Sequence, residues 1–436
     1  MTALTDAPPA FHLVLRNPLY RGATIALFLA GIGYSAAAPQ MSLFLVDDLH
    51  ASLSTAGLFA LTNLTAPLAG YLIGARSDRI GDRLGLFRLC SVLGFVGWAV
   101  IAVSTQLWVP IVVNTLVLGF AGAATSQLFA AVQDKPVPGL DGVIGIVRIA
   151  LVAGWVVGPV LGSLLAAWTG VRVMLFATAL CLLAQMLPLG RQRARVAPHH
   201  ETHRLAARGP MLPLILFTAL TVVVYAGDTI KFAYLPLHMS RDLHFSSGLS
   251  GAIMGTQPMV EVLVIPPAMA LARRFGALRL LTLTSALAVA GALCFALSHN
   301  AVGLFVGQAL MGCLWGSFGG LGILVAQRLL PAAVATASAI FISAEPVSTA
   351  LGGLAGGLGV DPLGLDHVFL VPAVLAAVAA VGLGVMSAVP SLKATTQDDV
   401  LPAGANDLQP GDVEMVAVPG VLRVEADDDR KPDPEQ

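Results

Sequence analysis

Twelve apolar stretches, each about as long as a membrane-crossing helix, dominate this chain. A helix needs about 20 mostly apolar residues to cross the hydrocarbon of a bilayer. Stretches of that kind fall at 23–46, 55–75, 87–105, 108–132, 143–168 and 171–190. After a polar connection they resume at 211–238, 247–272, 277–297, 301–327, 334–359 and 367–389. Of the 436 residues 56% are hydrophobic and 11% charged, too few polar groups to cover the surface of a soluble domain of this length. Inside a bilayer every backbone N–H and C=O needs an internal partner, so such runs fold as helices. The expectation is an all-α integral membrane protein of about twelve transmembrane helices in two pseudo-symmetric six-helix bundles. The 45 glycines and 27 prolines are no obstacle, because membrane helices tolerate both where neighbours re-satisfy the backbone.

Basic residues orient the spans, since cytoplasmic loops collect Lys and Arg. With the N-terminus inside, one set of loops receives Arg16, Arg21, Arg76, Arg79, Arg83, Arg88, Lys135, Arg191, Arg193, Arg195, Arg204, Arg208, Arg273, Arg274, Arg279 and Arg328. The opposite set receives only Arg172 and Arg241. Both termini are therefore expected in the cytoplasm, with the protein multi-pass in the plasma (inner) membrane. The expected organisation is a cytoplasmic segment at 1–22, a first bundle at 23–190, a linker at 191–210, a second bundle at 211–389 and a disordered acidic tail at 390–436. The N-terminus lacks the short apolar region and small-residue cleavage site of a signal peptide.

Other classes of function find little support. A net charge of −1 and the lack of a basic stripe interleaved with aromatics argue against a nucleic-acid partner. Cys90, Cys181, Cys294 and Cys313 lie in apolar runs without metal or CxxC spacing, and read as small core residues. The linker histidines in "HHETH" lack the helix-face spacing of a zinc motif, so no metal site is expected. The longest internal loop lacks paired carboxylates or a nucleophile with a base, which disfavours a multi-span membrane enzyme. No phosphate-binding loop supports ATP-driven pumping, and no re-entrant segment suggests a channel.

Two glycine-punctuated patterns stand out. The turn "GARSDRIGDRLG" packs three arginines and two aspartates between the second and third spans, with a weaker echo in "ALARRFGALRLL" between the eighth and ninth. Gly74, Asp78, Arg79, Gly81 and Arg83 match the G-x-x-x-D-R-x-G-x-R signature of the major facilitator superfamily, which the chain resembles. Gly145, Gly154, Gly158, Pro159 and Gly162 fit a fifth-helix pattern of that superfamily's antiporters, with Ser163 where a final glycine is usual. Segments at 39–59, 74–83, 147–159, 234–243 and 254–261 are similar to the bacterial sugar efflux transporter family. The resemblance implies two six-helix bundles rocking about a midplane site. It also implies that Asp78 and its neighbouring arginine form a cytoplasmic latch with the facing half, while Gly74 permits close helix approach and Gly81 a tight turn.

Charged residues within the spans are costly and functional by default. Arg148, Asp228, Lys231, Glu261 and Glu345 are of this kind. Asp228 and Lys231, three apart, share a helix face; either they form a self-contained ion pair, or Lys231 tunes an aspartate in the substrate cavity. Glu261 has no charged neighbour within a turn. It pairs across helices, with Arg148 as one partner, or carries a proton as a coupling carboxylate must. Glu345 precedes Pro346, which kinks a helix; either the carboxylate faces a wet cavity beside a gating kink, or it takes part in coupling. Arg148 either snorkels or binds a carboxylate or sugar hydroxyls.

Sugars are held by aromatic faces and planar polar side chains. The spans offer Tyr34, Gln40, Asn63, Asn114, Gln127, Trp155, Tyr225, Tyr234, Gln257, Gln308 and Trp315, each also open to a helix-bridging reading. Trp98 and Trp108 bracket an outer loop and read as interfacial belt residues. The expected function is a monomeric secondary transporter, without a cofactor and driven by the proton gradient, that exports small sugars or glycosides. Its expected partners are the lipid bilayer, protons and a small polar solute. A proton-coupled multidrug exporter is the alternative.

Overall fold

A computed structural model describes residues 10–134, 140–192 and 211–389. Lys135, the linker at 193–210 and the tail from 390 lie outside the described residues. Among the described residues, twelve helices are long and apolar enough to cross a membrane: α1 (Pro18–Asp48), α2 (Leu53–Ile80), α3 (Arg83–Val103), α4 (Trp108–Gln133), α5 (Gly142–Thr169), α6 (Val171–Leu189), α7 (Leu212–Arg241), α8 (Ser247–Phe275), α9 (Ala277–Leu297), α10 (Ala301–Leu329), α11 (Thr336–His367) and α12 (Leu370–Ala388). A short helix, Ala10–Arg16, precedes them.

Polar caps fix where the helices begin. Asn17 accepts a hydrogen bond from the Leu19 N–H at 2.9 Å, and Pro18 occupies the first turn. Helix α1 therefore begins at Pro18, ahead of the apolar run that starts at 23. Ser52, Asp82, Ser246 and Asn300 cap α2, α3, α8 and α10 in the same way. The outward surface is apolar: Val374, Val378, Val381 and Val385 form one exposed face of α12, as lipid contact requires.

The helix pairing recurs six helices on. In the first half α1 packs on α5 and α6, α3 on α4 and α6, and α2 on α4. In the second half α7 packs on α11 and α12, α9 on α10 and α12, and α8 on α10. The backbone carries the same repeat at its left-handed positions. His244 follows His50 by 194 residues, Gly276 follows Gly81 by 195, and Gly364 follows Gly170 by 194. The faint echo between the two charged turns is thus part of a duplication that runs the length of the fold.

Glycines allow the closest contacts. A Cβ at Gly154 of α5 would stand 2.5 Å from the Phe28 carbonyl oxygen and 2.8 Å from the Ile32 nitrogen of α1. The two halves meet through α5 on α8, α2 on α11 and α1 on α7. The close approaches lie toward the end that carries the α1–α2 and α7–α8 loops. Gly251 and Gly255 abut the Pro159 and Val156 carbonyls, and Gly353 abuts Ala60. Tyr234 donates to the Leu53 carbonyl at 3.2 Å, and Arg241 pairs with Asp47. Toward the other end, Gly70, Gly74 and Gly145 have open space where a Cβ would stand.

Two glycines of one helix are thereby distinguished. Crowding a packed helix contact costs about 1–3 kcal/mol, so Gly154→Ala should lower the thermal unfolding midpoint in detergent micelles. Gly145→Ala should leave that midpoint unchanged.

Candidate functional site

The sequence scatters charge over three helices of the second half, and the fold gathers it. On α7 the Lys231 side chain is buried, with its Nζ 2.6 Å from Asp228 Oδ1. It also donates to Gln257 Oε1 of α8 and lies over the Phe232 ring. One turn before Asp228, Tyr225 stacks on Trp315 of α10, with ring centroids 4.2 Å apart. Phe318 meets Tyr225 edge-on.

Glu261, one turn beyond Gln257 on α8, lies within electrostatic reach of Asp228, Lys231, Glu345 and, from the first half, Arg148. Tyr225 feels all three carboxylates. Neither Glu261 nor Arg148 makes a hydrogen bond or ion pair among the described residues. The cluster therefore contains one closed pair, Asp228–Lys231, and three ionic groups without a side-chain partner among the described residues: Glu261 and Glu345 in the second half and Arg148 in the first. Glu345 stands where α11 breaks, between the pieces Val334–Ile342 and Ala344–His367. Pro346 has no N–H to give the Ile342 carbonyl, so the ladder fails there. The carboxylate sits in the first turn of the second piece, where the helix dipole favours negative charge.

Several other candidates serve packing. Gln40 donates to Ser163 Oγ at 3.1 Å, tying α1 to α5 at the serine that replaces the usual glycine. Asn63 accepts from Asn114 at 3.2 Å, and Gln127 accepts from Ser77 at 2.5 Å. Tyr34 packs against the core of the first half. Gln308 is buried, 3.4 Å from the Met254 sulfur. Trp155 is half-buried, with no hydrogen bond among the described residues. Trp98, expected at the membrane interface, is instead buried with Phe44 and Met174, because its helix turns that face to α6; Trp108 is exposed.

The charged turn is a brace within the first half. Gly81, with φ +69°, ends the helix by donating to the Ser77 carbonyl. Arg83 reaches Asp78 at 2.6 Å, Ser77 Oγ at 2.9 Å and Asp134 of the α4 terminus at 3.2 Å. Asp78 and Arg79 are exposed, and among the described residues neither bonds to the facing half. The cross-half ion pair is instead Asp47–Arg241, at the opposite end. Sequence reading passed over it, yet Arg241 was already conspicuous as one of two arginines on the wrong side of the charge bias. The other, Arg172, pairs with Asp48 at 3.3 Å.

The Major Facilitator Superfamily model matches residues 23–220 and 216–408. The chain belongs to that superfamily. It is similar to sugar efflux transporter B of Salmonella typhimurium, 26% identical over 377 residues, covering 83% of this chain and 93% of the relative. It is also similar to sugar efflux transporter A of Escherichia coli, 28% identical over 380 residues, covering 83% and 95%. Multidrug resistance protein MdtG of a Rahnella species is 26% identical over 317 residues, covering 68% and 75%. Among solved structures, the nucleoside transporter NupG shares the fold, with a TM-score of 0.70 at 17% identity over 85% of this chain and 99% of its own. The protein is a multi-pass membrane transporter of this superfamily.

Breaking a buried pair strands one charge at a cost of about 3–5 kcal/mol, whereas replacing both partners is close to neutral. Asp228→Asn should therefore lower the unfolding midpoint sharply. Adding Lys231→Met should recover most of the loss in a thermal melt of the purified protein.

Proposed function

We propose that the chain exports small sugars or glycosides in exchange for protons, by alternating access of its two halves. Similarity over more than nine-tenths of the length of two proteins named sugar efflux transporters carries this reading. The site is consistent with it. The Tyr225–Trp315 stack offers an aromatic face to a sugar ring, and Arg148 offers a planar fork to hydroxyls. Glu261, a carboxylate without a partner among the described residues, is the proton carrier of the cycle, and Glu345 assists it. Proton binding at Glu261 and solute binding at Arg148 then compete through the same local field.

Sidedness follows from the basic residues: both termini lie in the cytoplasm of the plasma (inner) membrane. The end that carries the charged turn is then the cytoplasmic entrance, and the Asp47–Arg241 end, where the halves touch, is the closed outer gate. The transporter works as a monomer of two bundles, 23–190 and 211–389, without a cofactor and without enzymatic activity. Similarity to MdtG supports a second reading, in which the cargo is a lipophilic drug.

Inside-out vesicles decide between the two. An imposed proton gradient, acid inside, should drive accumulation of labelled lactose or a thioglycoside. Glu261→Gln should reduce this to the level of vesicles lacking the protein while preserving solute exchange without a gradient. Gradient-driven uptake of a hydrophobic cation, with none of the sugar, would establish the drug reading instead.

A further inference from the structure

At the outer ends of α7 and α11, His238, Asp242 and Asp366 bring three donor atoms within 4.8 Å of one another. His238 Nδ1 lies 2.8 Å from Asp242 Oδ2 and 3.2 Å from Asp366 Oδ1. The histidine is buried, at 2% exposure, and its ring is held edge-on against Phe369. The two carboxylates are open to solvent, at 37% and 51%.

The internal duplication shows what this cluster lacks. At the repeat interval of 194 residues, His238, Asp242 and Asp366 correspond to Phe44, Asp48 and Arg172 of the first half. Arg172 and Asp366 each stand two residues after a left-handed glycine, Gly170 and Gly364. In the first half the arrangement is neutral: Arg172 pairs with Asp48 at 3.3 Å and lies over the Phe44 ring. In the second half an aspartate replaces the arginine and a histidine replaces the phenylalanine. The cation is gone, a second carboxylate has entered, and an imidazole nitrogen now faces both.

We propose that this triad binds a transition-metal dication of the zinc class, which supplies the positive charge that Arg172 supplies in the first half. Imidazole nitrogen with carboxylate oxygen is a donor set such ions accept, and three protein ligands leave a fourth position for water. Bonds of about 2.0–2.2 Å in a tetrahedron place ligand atoms about 3.4 Å apart, so the two separations from His238 Nδ1 need to widen only slightly. The ion staples the outer end of α7 to that of α11. These two helices also carry Arg241, Tyr234 and Gly353, which close the halves against each other at this end.

The test uses the full-length protein, stripped with a chelator, in detergent micelles. The linker histidines are removed as competing ligands by His199→Ala, His200→Ala and His203→Ala. Calorimetric titration with Zn(II) should show one equivalent that vanishes in Asp242→Asn/Asp366→Asn and in His238→Asn. Zn(II) should raise the unfolding midpoint of the background protein and not that of the variants. Asp366→Arg, which restores the arginine of the first half at that position, should also lose the equivalent while remaining folded. Should His238→Asn fail to fold, the two carboxylate variants, altered only at exposed side chains, still decide. Equal Zn(II) stoichiometry in the background protein and Asp242→Asn/Asp366→Asn overturns the proposal and leaves the triad a hydrogen-bonded cluster.

Discussion

Close approach of α5 to α1, and of α11 to α7, is the contact on which the rest of the molecule is built. Between helices in lipid no hydrophobic drive exists, so association rests on van der Waals contact and interhelical hydrogen bonds. Gly154, Gly158 and Gly162 supply that contact in the first half, and Gly352 and Gly356 repeat it in the second. Each pair is a rigid pillar, and each pillar presents one helix to the opposite half: α5 to α8, and α11 to α2. The close contacts of these cross-half seams lie toward one end, where Gly251, Gly255 and Gly353 meet backbone or side chain of the facing half.

The charges within the spans are accommodated in different ways. A lone ion in hydrocarbon is expelled or neutralised. Lys231 avoids this with Asp228 and Gln257 within reach, both from its own half. Glu261 and Arg148 have no such shelter, and they belong to different halves. A coupling between binding and conformation needs a group whose interactions differ between two states, and this is why the proposed function assigns Glu261 and Arg148 to it.

Much of this was legible in the sequence. The apolar runs counted the spans, because only helices satisfy the backbone in lipid, and the duplicated charged turn hinted at the repeat. The Asp228–Lys231 pair followed from their helical spacing. Contacts between helices distant in sequence were not legible. Nothing local says that Gln257 accepts from Lys231, that Tyr225 stacks on Trp315, or that Gln40 reaches Ser163. Asp78 illustrates the limit most clearly. The motif drew attention to it, but its partner Arg83 and that arginine's link to Asp134 depend on how α4 ends beside α2. Trp98 failed for a related reason, since hydropathy near a loop does not distinguish a lipid-facing edge from one turned toward a neighbouring helix.

The duplication also explains why the two halves, alike in backbone, divide the work. At the repeat interval Asp228 corresponds to Tyr34, Lys231 to Ala37, Gln257 to Asn63, Glu261 to Pro67 and Glu345 to Leu151. The first half holds uncharged or apolar residues where the second holds its ionic cluster, and Arg148 stands opposite Ile342. Lys231 offsets Asp228 within the second half, so that half keeps the carboxyl groups of Glu261 and Glu345, against the single arginine Arg148 of the first. Opposite charges attract over such distances more strongly than they would in water, so two halves that match in backbone differ in what they offer a charged or polar group placed between them.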